Sequence, residues 1–173
     1  ETEDDHVRVT RWMANIPPAK AFVEYAGYDG PIDRWQVSTW LPPTYIVICY
    51  GWTVAVEGVP QDKGSRSQGQ WGFIVHHAIT PETETTTHQF WAVACPRTML
   101  AADKEALFTE QMQMVIREDL AVYEAQQRAI NFDPETKGAD VNPRGAIPAD
   151  QPLLQMRRTI RRLYGEEQKV AAP

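Results

Sequence analysis

Apolar and polar residues alternate in short runs over the first 96 residues, and residues typical of turns separate the runs. A period of two predicts strands, because successive side chains of a strand point to opposite faces of the sheet. β-branched and aromatic residues are frequent in the longest run, which favours the same structure. We therefore predict strands at residues 6–13, 33–40, 44–58, 71–80 and 85–94.

A polar segment at residues 59–70 separates the third predicted strand from the fourth. It contains glycines and has no apolar pattern after Val59. Loops of this length without apolar anchors are either mobile or functional. We expect a mobile flap here.

The period of the pattern changes after Asp103, which is a suitable N-cap for a helix over residues 103–131. One stripe of this helix comprises Leu107, Phe108, Met112, Val115, Ile116, Asp119, Val122, Tyr123, Gln126 and Ile130. An inward-facing carboxylate must be paired, hydrogen-bonded or bound to a metal. Asp119 is therefore either a salt-bridged structural residue or a ligand.

A connector rich in proline, glycine and aspartate leads to a shorter helix at residues 150–164, for which Asp150 is the expected N-cap. Strands followed by helices predict an α+β domain in which helices cover an antiparallel sheet. The predicted domain occupies residues 1–173, with strands in residues 1–96.

Composition restricts the class of partner and the compartment. The formal net charge is −6 at pH 7, which argues against a nucleic-acid partner. Cys49 and Cys95 lie singly in apolar runs, so we predict two core cysteines and a reducing, cytoplasmic compartment. No run approaches the roughly 20 apolar residues that a membrane helix needs.

Three histidines flank the turn of a predicted hairpin. His76 and His77 point to opposite faces of one strand, so only one of them can share a face with His88. If paired residue numbers sum to 164, His76 is opposite His88, and if they sum to 165, His77 is. Two histidines and a carboxylate would match the facial triad of non-haem Fe(II) oxygenases, whereas ordinary polar cross-strand neighbours are the simpler interpretation.

Several blocks together resemble one family. The segments RVTRWMANIPP (8–18), DGPIDRWQVSTWLPP (29–43), ITPETETTTHQFW (79–91) and EDLAVYEAQQRAI (118–130) look like the catalytic domain of Rieske-type aromatic oxygenases, in the branch of vanillate O-demethylase and phthalate dioxygenase. The resemblance covers residues 1–131, and the segment at 156–168 also fits. It implies an incomplete helix-grip (Bet v 1/START-like) fold, in which a long C-terminal helix lies over an antiparallel sheet and a substrate pocket.

The resemblance implies roles for three residues. Asp119, the second residue of the Glu-Asp pair, would be the carboxylate ligand of mononuclear Fe(II) and hence catalytic. His77, three residues before Thr80, would line the substrate pocket, and His88 would be a structural or second-shell residue. Gln89 departs from the family pattern, in which an aromatic residue often follows the histidine.

The family binds its iron with two further histidines on an earlier helix, and its [2Fe–2S] Rieske cluster with paired Cys and His ligands. This chain has neither set. We therefore expect the C-terminal part of an oxygenase catalytic domain, inactive alone. The complete protein would act on an aromatic acid with O₂, receive electrons from a reductase or ferredoxin, and form a homotrimer. The competing interpretation is a non-catalytic domain that binds a small aromatic or apolar ligand.

Overall fold

A computed structural model describes residues 2–3, 5–55, 71–97, 100, 102–132 and 147–171. The flap predicted at residues 59–70 lies outside the described residues. In these ranges, six strands form one antiparallel sheet in which neighbours in sequence are neighbours in space. The strands are β1 (Thr2–Glu3), β2 (His6–Ile16), β3 (Ile32–Leu41), β4 (Tyr45–Val54), β5 (Trp71–Pro81) and β6 (Thr87–Ala94).

Over the same described residues, three helices accompany the sheet: α1 (Lys20–Ala26), α2 (Glu105–Phe132) and α3 (Gln151–Ala171). The predicted α+β class is confirmed. Helix α1 is absent from the sequence prediction because seven residues are too few for a clear helical stripe. It ends at Gly27, whose φ of 66° is the left-handed conformation that favours glycine at this position.

The last two helices begin after short 3₁₀ turns, Ala102–Lys104 and Pro148–Asp150. Asp150 lies in the second turn, where its carboxylate accepts a hydrogen bond from the backbone N–H of Ile147 at 2.9 Å. Helix α3 extends seven residues beyond the predicted end at residue 164. It lies against β2, and Arg162 forms an ion pair with Asp5. No helix in the described ranges is long and apolar enough to cross a membrane.

The inner face of the sheet, toward α2, carries the larger hydrophobic core. Ile32, Trp52 and Phe73 are buried there together with Phe108 of α2 and Phe22 of α1. Phe108 makes an edge-to-face contact with Phe73, with ring centroids 5.5 Å apart. Such aromatic packing fixes the first half of α2 on the sheet.

The outer face has a smaller core of Trp35, Val37 and Cys49. Trp35 is paired with Gly51 on β4, and a Cβ atom at Gly51 would lie 2.2 Å from the indole ring. Glycine is therefore required for the ring to lie flat against the neighbouring strand. Cys49 and Cys95 are both free, as predicted, and Cys49 is buried.

The register of the β5–β6 hairpin differs from both predicted alternatives. Thr80 is opposite His88, so paired residue numbers sum to 168, and neither His76 nor His77 is opposite His88. The shift arises because β5 continues through Pro81 and β6 begins only at Thr87. Threonines hold the five-residue turn between them: the Thr83 N–H donates to the Thr86 carbonyl at 3.2 Å, and their hydroxyls are 2.6 Å apart.

Candidate functional site between the sheet and the long helix

A cavity of about 150 Å³ lies between the inner face of the sheet and the middle of α2. Its walls are mainly apolar, and its polar groups come from one residue or two on each element. The lining residues are Ile46, Ile48, Tyr50, Val75, His77, Ile79, Gln89, Met112, Val115, Ile116, Asp119 and Tyr123. An apolar pocket with a few convergent polar groups is the usual form of a small-molecule site.

Asp119 reaches the cavity because it lies three residues after Ile116, the buried residue that fixes this face of α2 on the sheet. Its side chain is half-buried. Among the described residues, no ion pair involves the Asp119 carboxylate. The carboxylate is therefore available to a cation or to a hydrogen-bond donor that enters the cavity.

His77 faces Asp119 from the opposite wall because its position on β5 places it on the inner face. The Gln89 amide lies 3.1 Å from His77 Nδ1 and donates a hydrogen bond to it, which leaves the proton of the neutral imidazole on Nε2. Burial lowers the pKa of His77, and the negative charge of Asp119 opposes this shift. The ring is therefore a neutral hydrogen-bond donor at pH 7.

Two tyrosines complete the polar lining. Burial raises the pKa of Tyr50 and of Tyr123, and the charge of Asp119 adds to both shifts. The Tyr50 hydroxyl accepts a hydrogen bond from Gln36 Nε2 at 3.4 Å, and its ring stacks on Phe73. Both phenols therefore remain protonated near neutral pH and keep an O–H donor.

The other two histidines of the hairpin lie elsewhere. His76 points to the outer face, where its Nδ1 is 2.6 Å from the hydroxyl of Tyr45. His88 is exposed near the hairpin tip, and its Nε2 is 3.5 Å from the Glu82 carboxylate. His88 lines a wider, open groove between the tip and the second half of α2. This groove adjoins the cavity that contains Asp119 and shares Ile79, Gln89 and Tyr123 with it, but His88 does not line the cavity.

The donor set fits one side of a mononuclear iron site. A carboxylate without a cation partner is a hard ligand of the kind that the facial triad uses. Within the described ranges, no group of three or more His, Cys, Asp and Glu residues could hold a metal ion. Asp119 could therefore supply one ligand, and the remaining ligands would have to come from outside this set of residues.

Tyr50 and Gln89 were not identified as site residues from the sequence. Ile46 on β4 is opposite His77 on β5, and Tyr50, four residues further along β4, shares the face of Ile46. Gln89 on β6 is opposite Ile79, which shares the face of His77. The period of two shows which residues of one strand share a face. It does not show which face of the next strand matches it, and that requires the register between the strands.

Comparison with known proteins identifies related chains. The family model described as the vanillate O-demethylase oxygenase C-terminal domain matches residues 1–166. A vanillate O-demethylase oxygenase subunit from Pseudomonas sp. is 34% identical over 180 residues, which cover 98% of this chain and 50% of the relative. A toluene-4-sulfonate monooxygenase system iron-sulfur subunit from Comamonas testosteroni is 31% identical over 169 residues, which cover 95% of this chain and 45% of the relative.

A solved structure supports the same fold. The crystal structure of dicamba monooxygenase bound to 3,6-dichlorosalicylic acid superimposes with a TM-score of 0.76 at 20% identity, over 100% of this chain and 47% of that chain. The chain thus spans about half the length of the relatives it matches. Because the family model covers nearly the whole chain, the resemblance noted in the sequence is confirmed, and this chain belongs to the vanillate O-demethylase oxygenase C-terminal domain family.

Proposed function

We propose that this chain forms the C-terminal part of the catalytic domain of a Rieske-type non-haem iron oxygenase that hydroxylates or O-demethylates an aromatic acid. The observation that carries the proposal is the cavity in which the unpaired carboxylate of Asp119 faces the imidazole of His77. Relatives named as oxygenase components of vanillate and toluene-4-sulfonate systems support it.

In this proposal Asp119 is the carboxylate ligand of mononuclear Fe(II). Bound there, the iron would supply the activation of O₂. The apolar side chains Ile48, Val75 and Ile116 would hold an aromatic ring and exclude water. His77, as a neutral Nε2–H donor, would hydrogen-bond to an oxygen substituent of the ring and orient it.

The remaining parts of the system belong to the same proposal. The [2Fe–2S] Rieske cluster would be held by residues outside this chain, because the chain has no paired Cys and His ligands. A reductase or ferredoxin would supply electrons, and the complete protein would be a homotrimer. The free cysteines fit a reducing, cytoplasmic compartment.

The test is the iron content of the complete oxygenase polypeptide that carries this domain. We expect Asp119→Ala to lose the mononuclear iron, since a carboxylate ligand is removed, while Glu118→Ala keeps it. Glu118 is a matched control because it is the preceding carboxylate on the same helix and is exposed. Metal analysis together with the separate absorbance of the Rieske cluster would measure the effect.

Equal iron in the two variants would contradict the assignment of Asp119. A wild-type protein that binds aromatic acids but holds no mononuclear iron would favour the alternative function, a domain that binds a small aromatic ligand without chemistry.

A further inference from the structure

Arg34 is a cation on the inner face of the sheet. It is opposite Trp52 on β4. Trp52 lies two residues from Tyr50 on the same strand and shares its face, so Arg34 projects from the face that forms the cavity wall. Its guanidinium carbon lies 5.0 Å from the centroid of the Phe22 ring and 5.9 Å from that of the Tyr50 ring. Aromatic faces on two elements therefore hold the guanidinium in place.

The guanidinium has no counter-ion within the part of the chain that the structure describes. No ion pair there involves Arg34, and its Nε is buried without a hydrogen-bond partner. Burial lowers the pKa of Arg34, Tyr50 opposes this shift, and the charge of the neighbouring Arg11 adds to it. An arginine nevertheless stays protonated in proteins, so this half-buried charge favours an anion bound beside it.

Tyr50 connects this cation with the candidate site. Its ring contacts Arg34 and also lines the cavity that contains Asp119 and His77. The positive charge of Arg34 and the negative charge of Asp119 act on the same phenol in opposite directions. Arg34 does not itself line this cavity, so a ligand in the cavity would reach the guanidinium past the edge of the Tyr50 ring.

We propose that Arg34 binds the acid group of the aromatic substrate, an inference that rests on the proposed function. The planar guanidinium presents N–H donors that match a carboxylate or a sulfonate, and Phe22 and Tyr50 would flank the ring-bound acid group. His77 is neutral and cannot supply this charge. It would contact the ether or phenolic oxygen instead, so the two residues would fix the ring at opposite ends.

The test measures binding to the complete oxygenase polypeptide without O₂, by isothermal titration calorimetry. The probes are 4-methoxybenzoate, toluene-4-sulfonate and the uncharged methyl 4-methoxybenzoate. We expect Arg34→Gln to raise the Kd of both acids roughly 10- to 100-fold and to leave the Kd of the ester nearly unchanged, as loss of a charge-assisted hydrogen bond predicts. Arg34→Lys should give an intermediate Kd for the acids.

Arg11→Gln is the matched control. Arg11 is exposed on the adjacent strand and lies on the same face, opposite Gln36. If the effect came only from a general loss of positive charge, this variant would weaken acid binding to the same degree, which would overturn the proposal.

Two other results would overturn it. Arg34→Gln could weaken acid and ester equally, or lower the thermal stability without changing the ratio of the two Kd values. Either result would mean that Arg34 supports the packing of the inner face and does not recognise the acid group. Failure of the proposed function would be seen in the iron content and not in the Kd values. In that case Asp119→Ala and Glu118→Ala would contain equal iron, whatever the ratio of Kd values for the Arg34 variant.

Discussion

The hydrogen bond from Gln89 to His77 makes the orientation of the imidazole depend on a residue of the neighbouring strand. In the complete oxygenase we expect His77→Ala to raise KM and to release more reduced oxygen species per product, with iron content near wild type. Gln89→Leu should have the same effect more weakly, because the imidazole remains in the cavity while its tautomer and orientation are no longer fixed. Steady-state kinetics with a peroxide assay would measure both.

His76→Ala is the control, since His76 is the adjacent histidine but lies on the outer face. A Gln89→Leu variant with a KM equal to wild type would show that Gln89 does not position His77. Loss of iron in His77→Ala would instead identify His77 as a ligand.

At the scale of single residues, the sequence predicted the positions of residues whose own element fixes their direction. Asp119 could be placed inward from the helical stripe, and its unpaired carboxylate now lies in the cavity. Gln89 and Arg34 could not be found in this way. Their roles depend on which strand lies beside them and in which register, and no period within one strand contains that information.

At the scale of elements, a polar network connects α1 with α2. The Tyr25 hydroxyl donates to the side-chain oxygen of Gln111, whose amide nitrogen donates to Glu24 at 2.7 Å. Burial, followed by the charge of Glu24, raises the pKa of Tyr25 to about 12. The network therefore places a protonated tyrosine at the contact between a short helix and the long one.

This shift predicts a pH dependence of stability. A tyrosine in the unfolded chain ionises near pH 10, so above about pH 10 the unfolded state loses a proton that the folded state retains. The contribution of Tyr25 to folding is therefore complete below about pH 10 and is lost as the pH rises toward 12. Tyr25→Phe should be less stable than wild type by about 1 kcal/mol at pH 8, and the difference should narrow at higher pH.

Urea unfolding at pH 8, 10 and 11 would measure the free energy of unfolding of both proteins. The other tyrosines are common to both proteins, so their contributions cancel in the difference between the two free energies. A difference that stays constant over this pH range would contradict the raised pKa of Tyr25.

Among the elements, the pattern predicted five strands and two helices but missed β1, α1, the last seven residues of α3 and the hairpin register. Segments with a strong period carry their own signal, as β3 and the first half of α2 do. The register depends instead on side-chain hydrogen bonds of Thr83 and Thr86 within the turn. Several turn types suit a threonine-rich segment, so the number of turn residues could not be read from composition.

At the scale of the whole molecule, the two halves of α2 differ in burial. Phe108 and Ile116 are buried in the first half, whereas no residue after Asp119 is buried in α2. Val122 is 64% exposed and Phe132 is 91% exposed. An exposed apolar helix face of this kind marks an interaction surface.

We expect the 173-residue chain to self-associate through this half of α2 when it is purified alone. Sedimentation velocity over a range of protein concentrations would measure the association. The double substitution of Val122→Ser and Phe132→Ser should reduce it, because it removes exposed apolar area. Gln126→Ser on the same half of α2 is the control, and equal association in all three proteins would exclude this surface.

The adjacent histidines of β5 have a consequence for how the family can diversify. His77 belongs to the cavity and His76 to the outer face, where it contacts Tyr45. Deletion of one residue upstream in β5 would exchange these environments and place a different side chain beside Asp119. Substrate range should therefore evolve by substitutions at inner-face positions while the length of β5 stays fixed, and insertions should accumulate at the turn of residues 82–86, where they leave the faces unchanged.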